Sequence, residues 1–408
     1  MRMLAGFTGP SGKGAYRGLD PGVVVAERGA ARIRSGHPWV YRSDVREAAG
    51  GRAAGDVVSV FDRKGDFLGR AFYNPGSEIS LRVATRDDEP VDESWFRARI
   101  ERAVNYRRSL GIDADAYRIL HSEADGVPGL VVDRYGDHVV LQVGSAAVER
   151  RLDWVVAALG DLLSPAGLLL RGDSAGRKRE GLDNEVRVLR GAVPESVVVR
   201  EGPVCYRADL WRGQKTGGFL DQRENHLAAG RYAGGAGRVL DVFSYAGGFA
   251  LHAARGAREV EAVDSSGPAL AAARANAKLN GLENITFTRA RAFDVLRERS
   301  DAEETYDVVI LDPPAFAKTK RDLPGARRAY KEINLRAMKL LDPGGVLITC
   351  SCSYHLSREL FEETLRSAAA DAGTTIRVRE WRGQAADHPE ILTVPETRYL
   401  KCAVLERA

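Results

Sequence analysis

Residues 239–251 read Val239-Leu240-Asp241-Val242-Phe243-Ser244-Tyr245-Ala246-Gly247-Gly248-Phe249-Ala250-Leu251, and their order decides the fold. Val239 to Phe243 is an apolar run suited to a strand buried on both faces. Ser244 to Gly248 forms a turn rich in small residues, and Phe249 to Ala254 opens an Ala-rich helix. Strand, glycine-containing turn and helix together make a ligand-binding corner. The turn lets the backbone approach the ligand, and the helix start offers free amides. Asp264 closes a second apolar strand, Val260-Glu261-Ala262-Val263. A carboxylate there is placed to grip ribose hydroxyls.

The ligand can be narrowed. The full Gly-x-Gly-x-x-Gly fingerprint is missing and only the Gly247-Gly248 pair is present, which disfavours a nicotinamide dinucleotide. Asp241, inside the first strand, suits a cationic ligand end. S-adenosylmethionine carries an ammonium, a sulfonium and a ribose, so Asp241 and Asp264 are expected at its amino-acid and ribose ends. The plainer alternative is a sheet with two incidental acids. It does not explain why both fall at or near C-terminal strand ends, where open α/β sheets bind ligands.

From Arg238 onward strands and helices alternate. Strands are expected at about 238–243, 258–263, 284–289, 306–311 and 345–350, and helices at about 248–255, 266–279, 323–341 and 357–371. The helix at 266–279 carries Ser265 and Ser266 at its cap, Pro268 in its first turn and Gly281 beyond its end. Two further strands, 374–380 and 397–405, have only a loop with Pro389 and Pro395 between them and should pair antiparallel. Five parallel strands closed by an antiparallel hairpin is the layout of the class I methyltransferase fold.

Two strand ends carry chemistry. The strand at 306–311 runs into Asp312-Pro313-Pro314-Ala315-Phe316, and two prolines force the chain out of the sheet at Asp312. Asp-Pro-Pro followed directly by an aromatic suits amino-group methylation of bases; here Ala315 intervenes. The next strand ends in Thr349-Cys350-Ser351-Cys352-Ser353, two of the four cysteines of the chain. Thiols at a cleft edge suit covalent catalysis. Carbon 5 of cytosine is a poor nucleophile, and a thiolate added to carbon 6 makes it enamine-like. Asp312 can bond ring nitrogen 3 and the amino group, promoting that addition. The simpler reading is two small buried hydrophobes. Between Lys318 and Lys331 lie six Lys/Arg and one acid, able to hold substrate phosphates or to form a solvated helix face.

Length and composition set the frame. A chain of 408 residues exceeds one ordinary core, so two or three domains are expected. No apolar run approaches a membrane span, and Met1 to Pro21 lacks a signal-peptide core and reads as a disordered lead-in, so a cytoplasmic location with no membrane contact is expected. There is no Cys-x-x-Cys pair and no His cluster at zinc spacing, so no metal site is expected. The formal net charge of +4 permits an acidic partner. Residues 22–90 show short strands punctuated by Gly, Pro and Asp, as in a small barrel. Residues 1 to 52 hold nine Lys/Arg against four Asp/Glu, with Trp39 and Tyr41 among them, a mixture suited to nucleic acid. A central α+β domain over 91–196 follows, with a helix at about 93–110 bearing Phe96, Ile100 and Val104 on one face. A hairpin closed by Tyr135-Gly136-Asp137, a helix at 148–163 and a strand at 167–171 complete it. Arg177-Lys178-Arg179 reads as a solvated loop. Residues 197–408 form the third unit, its leading hairpin included.

These residues together resemble the bacterial and archaeal family of 23S ribosomal RNA cytosine-5 methyltransferases, over about Val23 to Leu405. The N-terminal barrel resembles a PUA domain, an RNA-binding module. His121-Ser122-Glu123-Ala124-Asp125-Gly126 is similar to the family's central domain, and Gly213-Gln214-Lys215-Thr216-Gly217 with Phe219-Leu220-Asp221-Gln222-Arg223 to its cofactor-side hairpin. Phe243-Ser244-Tyr245 and Gly247-Gly248-Phe249 are similar to the cofactor loop, Asp312-Pro313-Pro314 to the catalytic corner and Thr349-Cys350-Ser351 to the nucleophile motif. One position departs: Arg291, before Ala292-Phe293, stands where the family often has an acid or amide meeting the adenine amino group. Arginine cannot accept a hydrogen bond, so adenine recognition is expected to rest on backbone there.

The resemblance implies an S-adenosylmethionine-dependent enzyme making 5-methylcytosine in 23S ribosomal RNA, with Cys350 as the attacking thiol and Asp312 beside it. The implied cofactor residues are Lys215, Thr216, Phe219, Asp221, Arg223, Asp241, Phe243, Ser244, Gly247, Asp264, Ser265, Arg291, Ala292 and Asp312. Read from the residues alone, Cys352 stays open as the nucleophile, because an extended chain would turn both thiols the same way. Two rivals remain: an amino-group base methyltransferase, and a non-catalytic RNA-binding ribosome assembly factor. The oligomeric state is open, with a homodimer among the options.

Overall fold

The computed structural model describes residues 22–48 and 50–408. The lead-in expected at Met1 to Pro21 lies outside the described residues. Six strands, Gly22–Val25, Trp39–Tyr41, Val45–Ala48, Asp56–Phe61, Phe67–Tyr73 and Ile79–Thr85, form the first sheet. Helix Glu27–Arg34 packs on it through Ala30 and Ile33, against Val23, Val40, Val60 and Leu81. This helix is short and rich in Arg, and the strand pattern around it hides it from the sequence.

The middle unit is a five-stranded sheet of Ala116–His121, Leu130–Tyr135, His138–Val143, Gly167–Gly172 and Glu185–Gly191. Helices Glu93–Ser109 and Leu152–Leu163 cover it. Asp92 caps the first of these, its carboxylate accepting from Trp95 N at 3.0 Å. Phe96, Ile100 and Val104 all turn inward, as their spacing predicts. Their core extends into the first sheet. Phe72 and Ala84 join it, and the Phe72 ring stacks on Phe96 at 6.1 Å. The expected division near residue 90 therefore runs through shared packing. Arg177 corrects the expectation of a solvated loop. Its guanidinium is buried, paired with Glu149 at 2.8 Å and donating to Val143 O at 2.9 Å.

A hairpin, Ser196–Glu201 with Val204–Asp209, and helix Arg223–Tyr232 lead into the third sheet. Its strands are β1 (Arg238–Val242), β2 (Glu259–Asp264), β3 (Ile285–Arg289), β4 (Tyr306–Leu311), β5 (Leu341–Ser351), β6 (Ile376–Arg382) and β7 (Lys401–Arg407). Its helices are α1 (Gly248–Ala254), α2 (Gly267–Leu279), α3 (Ala292–Asp301), α4 (Leu323–Lys339) and α5 (Arg358–Ala372). Spatial order is β3-β2-β1-β4-β5-β7-β6, parallel except for β7, which runs antiparallel to both neighbours. Apolar clusters lie on both faces, which is why the central strands read as unbroken apolar runs. At α2 the hydroxyl of Ser266 accepts from Ala269 N at 3.2 Å, with Pro268 in the first turn, as expected. Helix α3 is an addition. Its sequence alternates charge and buries only Val295 and Leu296. Two parallel strands need such a crossover between them.

The segment between β6 and β7, residues 383–400, ties the units together. His37 and Glu396 meet at 2.9 Å. Asp387 accepts from Arg118 N at 2.7 Å and pairs with Arg223 at 3.0 Å. Tyr399 OH donates to Asp221 at 2.8 Å. No helix among the described residues is long and apolar enough to cross a membrane.

Candidate active site

β1 delivers the cofactor corner. Val239 to Val242 are buried, and the chain leaves the strand through Phe243 at φ +69°, Tyr245 at +48° and Gly247 at +90°. Two of these are non-glycine residues in the left-handed region, an arrangement that persists only where surroundings enforce it. Here both Phe243 N and Ser244 N donate to Val263 O, at 2.9 and 3.0 Å. Behind the turn, Glu201 accepts from His226 at 2.7 Å and from His252 at 3.1 Å. Burial opposes charge on His226, yet the Glu201 carboxylate outweighs it and raises that imidazole. The His226 ring fills the space a side chain at Gly248 would need, a Cβ there coming within 2.6 Å of it.

Asp241 is wholly buried, and neither oxygen meets a hydrogen-bond partner at good geometry among the described residues. Burial, with Asp312 adding its charge, pushes its carboxyl up to about 7. A buried carboxylate without partners is costly, and a cationic ligand end removes that cost. The Ser244 hydroxyl is likewise buried and unpartnered. Asp264 stands at the end of β2 and accepts from Tyr245 N at 2.9 Å and Ser266 N at 2.8 Å. Each carboxylate oxygen keeps further acceptor capacity for ribose hydroxyls. Phe243, Val263, Asp264, Ser265, Arg291, Ala292 and Phe293 line one cleft of about 180 Å³. Apolar walls with an acid at the rim fit an adenosine. The Arg291 side chain itself is 82% exposed, 3.8 Å from Asp294, so the cleft is walled at that point largely by backbone and by Ala292 and Phe293.

The loop expected to face the cofactor divides. Lys215, at φ +55°, donates to Asp221 at 2.6 Å and lies over the Phe219 ring, which meets Tyr245 edge-on at 5.2 Å. Through Tyr245, whose N–H donates to Asp264, this group reaches the edge of the cofactor corner. Thr216 and Arg223 do not present their side chains to it. Thr216 is buried, donating to Asp133 at 2.6 Å and bonded to Tyr135 OH at 2.9 Å. Arg223 is buried against Asp387. Both join the catalytic unit to its neighbours, a correction to their expected ligand contact. Asp221 mixes the two roles, since Tyr399 also donates to it.

Asp312 leaves β4 half-buried and accepts from Gln222 at 2.9 Å. Burial, reinforced by Asp221 and opposed by His226 and Lys215, lifts its carboxyl to about 6. The cysteines separate sharply. Cys350 is fully buried, in register with Cys402 of β7 and packed among Ile310, Ile348 and Val404. The hydrogen bond with Cys402 and burial hold its thiol well above the usual range. Fully buried, Cys350 is the less accessible of the two thiols expected at this strand end. β5 ends at Ser351, so Cys352 lies just beyond the last residue paired in the sheet. Its Sγ is half-buried, 4.0 Å from Pro313 O; burial first, and then the Asp312 charge, raises its thiol too, while Lys215 opposes them. The turn is braced from below: Ser351 Oγ donates to Tyr330 OH at 3.0 Å, and Tyr330 OH meets Ser353 Oγ at 3.1 Å. Tyr330 and Lys401, which adjoin this turn, were not foreseen. Only the apolar spacing along α4 pointed inward at Tyr330.

Residues 23–86 match the PUA-like domain and residues 173–378 the S-adenosylmethionine-dependent methyltransferase family. Ribosomal RNA large subunit methyltransferase I of Vibrio cholerae is 40% identical over 399 residues, covering 95% of this chain and all of that protein. The Aeromonas hydrophila protein of the same name is 42% identical over 379 residues, covering 90% and 95%. A methyltransferase structure from Streptococcus mutans superposes with a TM-score of 0.80 at 20% identity, covering 94% and 99% of the two chains. Another, complexed with SAH, superposes at 0.81 and 21% identity over the same shares. The chain is an S-adenosylmethionine-dependent methyltransferase with a PUA-like domain, and it belongs to the ribosomal RNA large subunit methyltransferase I family.

Proposed function

We propose that this enzyme makes 5-methylcytosine in 23S ribosomal RNA through a covalent adduct, with Cys352 rather than Cys350 as the nucleophile. The observation that carries this reading is the half-buried Cys352 thiol at the Asp312-Pro313 corner, in the field of Asp312. S-adenosylmethionine supplies an electrophilic methyl group. Asp241 holds its cationic amino-acid end, Asp264 its ribose, and the walls at Phe243, Ala292 and Phe293 its adenine. The Cys352 thiolate adds to carbon 6 of the cytosine. Asp312, whose carboxyl keeps a proton more readily than usual, bonds ring nitrogen 3 and takes up the charge that builds there. With the cofactor bound, carbon 5 would take its methyl group, the sulfonium leaving as the neutral thioether S-adenosylhomocysteine, and loss of the carbon 5 proton to a base would expel the thiolate. Lys318, Lys320, Arg321 and Arg328 stand exposed just beyond Asp312, a basic stretch suited to the phosphates of the substrate. The names of the relatives and the PUA-like domain support large-subunit ribosomal RNA as that substrate.

The test uses RNA carrying 5-fluorocytosine at the target. Fluorine cannot leave as the proton does, so the adduct accumulates. Wild type and Cys350→Ala are expected to trap RNA, and Cys352→Ala to trap none and methylate none while still binding cofactor. Trapping that persists in Cys352→Ala overturns the assignment. Methylation by wild type without any trapping points to an amino-group acceptor.

A further inference from the structure

Lys401 opens β7, where it pairs with Ser351, the last residue of β5. Its side chain turns inward and the residue is only 5% exposed. Its ammonium donates to two backbone carbonyls, Ser353 O at 2.7 Å and Tyr399 O at 3.0 Å. An ammonium has three donors. Among the described residues no carboxylate lies within ion-pair distance of it. A buried cation with only carbonyl partners is costly, and burial brings its titration down to about 8.

The anion that would relieve it is the Cys352 thiolate. The charged and titratable groups facing Cys352 come from four parts of the fold. Asp312 follows β4, Lys215 and Asp221 lie in the loop before helix Arg223–Tyr232, Tyr330 is on α4, and Lys401 is on β7. The two carboxylates oppose a thiolate. Of the two ammoniums, Lys215 is already paired with Asp221 at 2.6 Å. Among the described residues Lys401 carries its charge without a counter-ion, and its bond to Ser353 O ties it to the turn that begins at Cys352.

We propose that Lys401 is the positioning residue for the nucleophile: its buried ammonium clamps the turn bearing Cys352 and is the cation against which that thiol ionises. The proposal rests on Cys352 being the attacking thiol. Lys401 is only 5% exposed and acts through Cys352. Ionisation moves one proton from the thiol to solvent or to the neutral Lys401 amine; in the second case a neutral pair becomes an ammonium–thiolate pair with no net charge buried.

The test is the pH profile of Cys352 alkylation by iodoacetamide in the full chain, with the modified cysteine located by peptide mass spectrometry. Wild type and Lys401→Arg should share one inflection. Lys401→Met should shift it upward by at least about one unit, alkylating about tenfold more slowly at pH 7, because only the thiolate reacts. RNA methylation should lose kcat with KM for RNA little changed. An unchanged inflection in folded Lys401→Met overturns the proposal and leaves Lys401 a brace. Should that variant not fold, the reciprocal measurement decides. By linkage the Lys401 ammonium, followed by NMR, should titrate lower in Cys352→Ala than in wild type or Cys350→Ala, and identical titration in all three overturns the proposal. These outcomes separate from the nucleophile assignment, which falls only if Cys352→Ala still forms the RNA adduct.

Discussion

Cofactor affinity should depend on pH through Asp241. In the free enzyme this carboxyl is buried without partners and titrates near 7. Only its ionised form attracts a cationic ligand end, so binding draws the group to the ionised state. The sign follows: affinity rises with pH up to the free-enzyme value and then levels. An acid titrating near 7 is ionised to roughly 9% at pH 6 and roughly 76% at pH 7.5, so Kd should fall about eightfold between them. Asp312 titrates near 6 and adds its own dependence mainly below this window. Isothermal titration calorimetry with S-adenosylmethionine in buffers of matched ionic strength measures the effect. Asp241→Asn should bind more weakly at pH 7.5 and show a nearly flat profile over the same range. A flat profile in wild type, or a slope kept in Asp241→Asn, would refute the assignment of Asp241 to the cationic end.

Two further outcomes follow from the geometry. Asp264→Ala should weaken S-adenosylmethionine binding by about 1.5–3 kcal/mol, on the order of 10- to 100-fold, by calorimetry; an unchanged Kd would move the ribose elsewhere. Arg107 is buried and pairs with Asp125 through both terminal nitrogens, at 2.5 and 2.8 Å. Arg107→Ala strands that carboxylate and should cost about 3–5 kcal/mol in urea unfolding, while a loss under about 1 kcal/mol would show that water reaches Asp125 freely.

The catalytic fold was legible because its signals are local. Apolar runs ending in Asp241, Asp264 and Asp312 mark parallel strands and the edge where they converge. Helix α3 was missed because alternating charge masks a helix burying two residues, although β3 and β4, running the same way in one sheet, need a crossover between them. The cysteine pair shows a different limit. Alternation places Cys350 and Cys352 on one face only while the strand continues, and the sequence does not say that β5 stops at Ser351. Long-range joints were invisible altogether. Thr216 sits in a ligand-like loop yet bonds Asp133, 83 residues away in sequence. Arg177 lies in a basic run yet is buried beneath Glu149. No window along the chain holds both partners of such contacts.

The position of β7 has a consequence for the growing chain. It is the last strand of its sheet in sequence but not in space, lying between β5 and β6. Until residues 401–407 have been synthesised, β5 and β6 each present a long row of unpaired backbone groups, and such edges recruit other strands. The same late residues deliver Lys401 to the Cys352 turn. A nascent chain can thus close its cofactor corner early, on β1 and β2, while the thiol turn stays unbraced until the sheet is sealed. Order of synthesis thereby makes the thiol turn the last part of this sheet edge to be braced.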